Sequence, residues 1–425
     1  MQPDAKNNAA LSSKKQIWAW AFYDFANSGY TTVVITAIFN AYFVSVVANN
    51  AVWATFLWTA VLSVSYLLTL LMGPLIGAHS DANCLRKRYL VLTTLLCVGT
   101  TLCLALFLDQ GIFVVCLFLM MSNLFYGLGE NIIAAYLPEI SSQKSIGRVS
   151  GYGWSLGYIG GMITLGLCLF YVTTAENEGY SADIFVPVTL FITAAIYLIA
   201  ALPSFIFLGS GAAVIGVSGS SKPISRLLDT FKNRHQHRDL FRFLGCTVFY
   251  QAGIQAVIAL AAIYAQQVVG FTFSETILLI MVVNLTAALG AFVFGPLQDR
   301  FGHIKILTIL LLLWICITLL AWLLQSKVEF WVVANLVGIS LGASQSAARA
   351  VVGLMTPPSR RAEFFGLWGV AVRCSAIIGP LTYGLLTWAT DGDYRNAILS
   401  LSLFFVVGLF LLRRVDLARG QSLVS

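Results

Sequence analysis

Twelve apolar runs, most of them 20 to 30 residues long, follow one another along the chain. A helix that crosses the roughly 30 Å hydrocarbon core of a bilayer needs about 20 such residues. No water is available there to pair a bare N–H or C=O. Each run must therefore satisfy its own backbone, and that requires an α-helix. The runs predict spans near 17–46, 52–78, 89–108, 112–137, 149–172, 184–208, 241–268, 274–298, 304–325, 328–355, 363–390 and 394–413. Composition agrees: 59% of the 425 residues are apolar and 10% are charged, against about 25% charged in a soluble protein. A water-soluble enzyme, a DNA-binding domain and a disordered chain are excluded. The fold class is an all-α polytopic membrane protein, and its partner is the lipid bilayer.

Charge orients the spans. With the N-terminus inside, 21 of the 25 Lys and Arg residues fall on inner segments, and only Lys327 and Arg395 fall on outer ones. The outer loops carry eight acids: Asp109, Glu176, Glu178, Asp183, Glu275, Glu329, Asp391 and Asp393. The positive-inside rule then places both termini in the cytoplasm. The net charge of +7 sums a basic inner face and an acidic outer one, and needs no nucleic-acid partner.

The long inner loop, 209–240, divides in two. Residues 209–221 read as a flexible Gly/Ser-rich linker. Residues 223–240 carry Ile224, Leu227, Leu228 and Phe231 at helical spacing among Arg226, Lys232, Arg234 and Arg238, as an amphipathic helix on the inner leaflet would. The chain is therefore expected to comprise halves at 1–208 and 241–425 joined by 209–240. The eight cysteines are scattered, almost all of them in apolar runs, without a CxxC pair, so no metal site and no cofactor is expected.

The halves resemble each other. Gly77 and Asp81 end the second span, and Gly295 and Asp299 end the eighth. Asp81 and Asp299 lie 218 positions apart, as do Lys87 and Lys305. Repeated six-helix halves are a transporter architecture, with substrate between the halves near the midplane. This Gly-x-x-x-Asp…Lys pattern resembles the inner-face signature of the major facilitator superfamily. Each aspartate is placed to meet the positive N-terminus of a helix from the opposite half. Asp81 is expected at the start of the eleventh helix. Asp299 is expected at the start of the fifth, near Arg148. One copy alone would also suit an ordinary loop acid; two at symmetric positions read as a gate.

Further segments narrow the resemblance. They are Trp20-Ala21-Phe22-Tyr23-Asp24-Phe25-Ala26-Asn27-Ser28, Tyr136-Leu137-Pro138-Glu139, Gly147-Arg148-Val149-Ser150-Gly151-Tyr152-Gly153-Trp154, and Gln345 to Arg349 followed by Pro357-Pro358 and Glu363-Phe364-Phe365-Gly366. Together they look like the vacuole-effluxer (unknown-major-facilitator) branch of that superfamily, whose fungal members are linked to amino-acid release from the vacuole. The resemblance implies the major facilitator fold, with helices 1, 4, 7 and 10 around a central cavity. It implies a cell-membrane location in a bacterium, or a vacuolar one in a eukaryote. One departure is clear. An acid expected near the start of helix 7 is replaced by Ala252, within Tyr250-Gln251-Ala252-Gly253.

Four charges remain inside spans: Asp24, Glu130, Arg349 and Arg373. Each costs about 2.5–3.5 kcal/mol at a helix centre on insertion scales, so each is a functional candidate. Counted from the helix ends at 1.5 Å per residue, all four lie roughly 10–15 Å from the inner face. The acids are in the first half and the arginines in the second. Arg349 and Arg373, with forks suited to carboxylate, are expected to bind an anionic group. Glu130 and Asp24 are expected to carry a proton. Gln345, Asn27, Tyr23, Asn131, Tyr250, Gln251 and Gln255 are expected to line the substrate path. An alternative remains, in which the charges are purely structural pairs.

The leading function is a monomeric secondary transporter of a small polar metabolite, an amino acid or related carboxylate, coupled to protons by alternating access. Efflux of a larger amphiphile (a peptidoglycan fragment, siderophore or drug) is one alternative. A non-transporting membrane sensor or scaffold is another. No catalytic set or Walker sequence is visible, so neither an enzyme nor an ATP-driven pump is expected.

Overall fold

The structure, a computed structural model, describes residues 14–210 and 223–423. The expected linker at 209–221 falls almost wholly outside the described residues. Among the described residues, twelve helices are long and apolar enough to cross a membrane. We label them α1 (Lys14–Val47), α2 (Ala54–Ala82), α3 (Arg86–Leu106), α4 (Ile112–Ala134), α5 (Ile146–Asn177), α6 (Ala182–Phe207), α7 (Arg238–Gln267), α8 (Phe273–Phe301), α9 (His303–Leu323), α10 (Lys327–Leu354), α11 (Arg361–Ala389) and α12 (Tyr394–Leu412). Their limits fall within five residues of those read from the apolar runs. The largest difference is at the end of α5. There the helix runs on past its apolar stretch to Asn177, and the exposed Thr173 and Thr174 hydroxyls donate back to the Phe170 carbonyl at 3.0 and 2.8 Å.

α1 is irregular. It widens into π-helix over Thr31–Ala37 and again over Phe43–Val47. The first segment holds six consecutive β-branched residues, Thr31 to Thr36. Their stiff side chains crowd the preceding turn of an α-helix. Such π-segments concentrate at functional sites.

The pairing of helices repeats between halves. In the first, α1 packs on α5 and α6, α2 on α4, and α3 on α4 and α6. In the second, α7 packs on α11 and α12, α8 on α10, and α9 on α10 and α12. The contacts across the halves are also symmetric: α2 meets α11 as α8 meets α5, and α4 meets α11 as α10 meets α5. This is the major facilitator fold expected from the sequence.

Glycine makes the two main cross-half contacts possible. A Cβ at Gly77 would overlap the Ala362 carbonyl, and one at Gly366 would lie 2.8 Å from Pro74 Cα. At the symmetric position, a Cβ on Gly295 would lie 3.0 Å from the Gly147 carbonyl oxygen and 3.3 Å from Gly151 Cα. Backbones approach this closely only where side chains are absent.

The helix expected over 223–240 is shorter than the pattern suggested. It spans Pro223–Lys232, and Arg238 already belongs to α7. Asp239 explains the break. It sits in the first turn of α7, where the helix dipole favours an acid. It also accepts from Arg419 Nε at 2.6 Å, which ties the C-terminal segment to α7.

These contacts predict that Gly77→Val and Gly295→Val each hold the halves apart at this end of the bundle. Spin-label distances between α2 and α11, and between α5 and α8, should lengthen. Unchanged distances in both variants would remove the glycines from the closing mechanism.

Candidate functional site: charges that join the two halves

All four intramembrane charges pair across the halves. Arg349 on α10 donates from Nη1 to Asp24 Oδ2 on α1 at 2.7 Å. It also donates from Nε to Ser150 Oγ at 3.2 Å and from Nη2 to the Ser150 carbonyl at 3.0 Å, both on α5. Its guanidinium carbon stands 4.5 Å from the ring centre of Trp20 and 5.2 Å from that of Trp154. Cation–π attraction of this kind strengthens where water is excluded. Gly153 leaves the space in which Asp24 and Arg349 meet.

The second pair is alike in plan and different in surroundings. Arg373 Nη2 on α11 donates to Glu130 Oε2 on α4 at 2.7 Å. The guanidinium carbon lies 5.3 Å from the Tyr66 ring centre and 5.9 Å from that of Tyr126. The side chains of Arg349 and Asp24 are 4% and 11% exposed, those of Arg373 and Glu130 12% and 25%. The Glu130–Arg373 pair is thus the more accessible of the two.

Nearer the basic end, the two signature aspartates accept backbone N–H groups of the opposite half. Asp299 Oδ1 and Oδ2 accept from Gly147 and Arg148, both at 2.8 Å, in the first turn of α5. Asp81 Oδ2 accepts from the Glu363 N–H at 3.0 Å, in the first turn of α11. A helix N-terminus supplies both free N–H groups and a positive dipole end. Asp81 also pairs with Arg86 at 2.6 Å. Arg86 bonds Glu139, and Glu139 bonds Arg361 at 3.1 Å. Among the described residues Lys87 and Lys305 have no ion-pair partner, and Lys305 is exposed. The lysine of the signature pattern is thus replaced at Asp81 by its neighbour Arg86. At Asp299 the residue matching Arg86 is Ile304, and the cation that acts on the carboxylate is instead Arg148 of the opposite half. Gln298 beside it bonds Ser346 Oγ at 3.0 Å and the Gly147 carbonyl at 3.3 Å.

Several residues expected on the substrate path are employed within a half. Tyr23 bonds Thr94 at 2.6 Å, and Asn27 accepts from Tyr197 at 2.7 Å. The Tyr23–Asn27 stripe of α1 faces α3 and α6, whereas the neighbouring stripe of Asp24 and Ser28 faces α5. Tyr250 packs against Gly408 on α12. Gln251 donates to Gln345 at 2.9 Å, linking α7 and α10. Gln255 is half-buried. Asn131 sits between Gly73 and Gly369, at a cross-half contact. Gly338 and Gly342, which share a stripe with Arg349, admit α8 rather than substrate. Tyr66, Tyr126 and Ser150 were not singled out from the sequence. Ser150 stands four residues before Trp154 on the same helix face as Gly147 and Gly151. That spacing was the available signal for it.

The fold and site define a transporter of the major facilitator superfamily. Solved structures agree on the fold: the fucose:proton symporter FucP of E. coli (TM-score 0.74, 13% identity, 95% of this chain and 98% of that one), the proton:xylose symporter XylE (TM-score 0.71, 12% identity, 96% and 98%), and a bacterial homologue of the iron transporter ferroportin in an outward-facing state (TM-score 0.72, 13% identity, 94% and 99%). Within that class, the chain belongs to the family described as vacuole effluxer Atg22 like, whose model matches residues 54–424. It is 27% identical to the uncharacterized MFS-type transporter YxiO of Bacillus subtilis, over 94% of each chain. It is 25% identical to autophagy-related protein 22-1 of Aspergillus fumigatus, over 69% of this chain and 53% of that one. The match spans about half the length of the fungal relatives.

The geometry yields a stability prediction. Arg349→Met leaves Asp24 buried without its cation, a situation that costs about 3–5 kcal/mol. Asp24→Asn combined with Arg349→Met removes both charges and should cost less than Arg349→Met alone. Apparent melting temperatures in detergent measure the difference. A double variant that melts below the single one would show that the pair is not an isolated buried couple.

Proposed function

We propose that this transporter moves a small polar metabolite, an amino acid or related carboxylate, by proton-coupled alternating access. The observation that carries this reading is the pair of ion bridges across the halves, with both acids on one side and both arginines on the other. In an outward-opened cavity closed at the basic end, Arg373 is the more accessible arginine. Among the described residues its one hydrogen-bond acceptor is Glu130. A substrate carboxylate can take Glu130's place on the guanidinium fork. Glu130 then sits without its cation in a medium of low dielectric and takes up a proton. Substrate binding and protonation are linked by that exchange. Arg349 spends three of its five N–H groups on Asp24 and Ser150, and Trp20 and Trp154 cover it; it serves as the lock that the rocking motion must open.

The reading includes an orientation: both termini cytoplasmic, with Asp81 and Asp299 closing the inner gate. The protein works as a monomer in this scheme, since one chain contains both halves of the site.

Two outcomes test it. In proteoliposomes, Glu130→Gln should abolish accumulation of a labelled amino acid driven by a pH gradient, yet keep counterflow. Retention of accumulation with an unchanged pH dependence would refute the proton role. Arg373→Lys keeps the charge but loses the fork, so affinity in counterflow should fall about tenfold or more, which corresponds to ~1.4 kcal/mol. An Arg373→Lys protein with unaltered affinity for every amino acid and carboxylate tried would remove the anion-binding role.

For the orientation, a protease site inserted between Gly392 and Asp393 should be cut from outside in sealed right-side-out vesicles. One inserted after Arg413 should be cut only after lysis.

A further inference from the structure

The Pro223–Lys232 helix touches both halves at the Asp81 gate. It packs against the end of α2 in the first half. Its Thr230, 1% exposed, bonds both Glu363 and Arg360 of the second half, the latter at 2.6 Å. Glu363 is the residue whose N–H is held by Asp81. Leu227 packs on the core of the second half, and Phe231 stands 5.9 Å from the Phe241 ring.

Among the described residues, nothing covers the other side of this helix. Ile224, Leu228 and Phe231 are 62%, 63% and 48% exposed. Next to them Lys232, Arg234, His235 and Arg238 are exposed. His237 adds no charge. Its ring lies 4.9 Å from Phe364, and burial, helped by the nearby Arg360, pushes its pKa down. An apolar stripe flanked by cations, set at the ends of spanning helices, matches the chemistry of an anionic leaflet surface.

We propose that this helix is a clasp: seated on anionic phospholipid of the inner leaflet, it holds the Asp81 gate shut, and release from the lipid favours inward opening. The mechanism needs only the contacts above. Inward opening separates α2 from α11 and so pulls Asp81 from the Glu363 N–H. A helix that bears on α2 and is bonded through Thr230 to Glu363 and Arg360 opposes that separation. Its resistance depends on how firmly its apolar face is anchored. The idea rests on the inward-gate reading of Asp81, and on no particular substrate.

Amide hydrogen exchange of the whole protein in nanodiscs tests it without substrate. The amides of 361–368 report the gate. Discs of phosphatidylcholine alone are compared with discs containing phosphatidylglycerol. Each Lys or Arg near an anionic surface shifts a binding equilibrium by about fivefold, so exchange should slow by about fivefold or more in the anionic discs. Leu228→Ser with Phe231→Ser should abolish the difference, as should Thr230→Val. Lys232→Gln with Arg234→Gln should reduce it. These are surface or single-hydroxyl changes, and melting temperature verifies that each variant is folded. Asp81→Asn is the control. If it fails to raise exchange in either lipid, the gate reading falls and the clasp with it. If it raises exchange while lipid charge has no effect on the wild type, or the clasp variants keep the lipid response, the clasp alone is overturned.

Discussion

A charge within the hydrocarbon region must be accompanied by a partner, and in this chain both cationic partners come from the opposite half. That single constraint organises the molecule. Had Asp24 and Glu130 met cations within their own half, each half would be electrically complete and free to part from the other. Instead the first half carries two acids and the second two arginines, and neither half is satisfied alone. The halves therefore attract most strongly when the basic end is closed. Any other state must supply replacement partners: water, a proton, or a substrate anion. The chemistry of transport follows from the question of which replacement arrives.

The two bridges answer that question differently because their surroundings differ. Arg349 lies against two indole rings and spends three of its N–H groups on Asp24 and Ser150. Little is left for a ligand. Arg373 faces Tyr66 and Tyr126, rings that can hold the guanidinium in place while its acceptor changes. Tyr126 is itself held by stacking on Tyr30 at 5.2 Å, and Tyr30 by a 2.7 Å bond to Ser122. An aromatic floor keeps the arginine oriented without consuming hydrogen-bonding capacity.

The fold was almost wholly legible from the sequence, and the reason is the bilayer. Only helices satisfy their backbone there, so hydropathy counts them. The signature aspartates were legible for a related reason. Asp81 and Asp299 recur at one spacing beside glycines, which is what a close helix crossing with an N-terminal anchor requires. The cavity lining was less legible. Helical periodicity shows which residues share a stripe, but not which neighbour the stripe faces. Tyr23 and Asn27 differ from Asp24 and Ser28 by one position, and that rotation of about 100° turns them from the site into the core of the half. Gly338 and Gly342 likewise lie in line with Arg349 but serve the crossing with α8. Tyr66 and Tyr126 carried no signal that separates a cavity tyrosine from a lipid-facing one.

The repeat fixes geometry more strictly than chemistry, and the difference between the halves is informative. Both aspartates grip a helix N-terminus in nearly the same way. Around Asp81, however, Arg86, Glu139 and Arg361 form a charged chain, and Thr230 of the linker helix reaches Glu363 beside it. Around Asp299, Gln298 bonds Ser346 and His303, and Arg148 supplies a nearby positive charge. The chain at Asp81, partly exposed at Glu139 and Arg361, responds to salt and surface potential. Two crossings of equal geometry can then open with unequal ease. The crossing at Asp81 is also the one against which the linker helix packs, so on the clasp proposal it is the one that conditions at the membrane surface would reach.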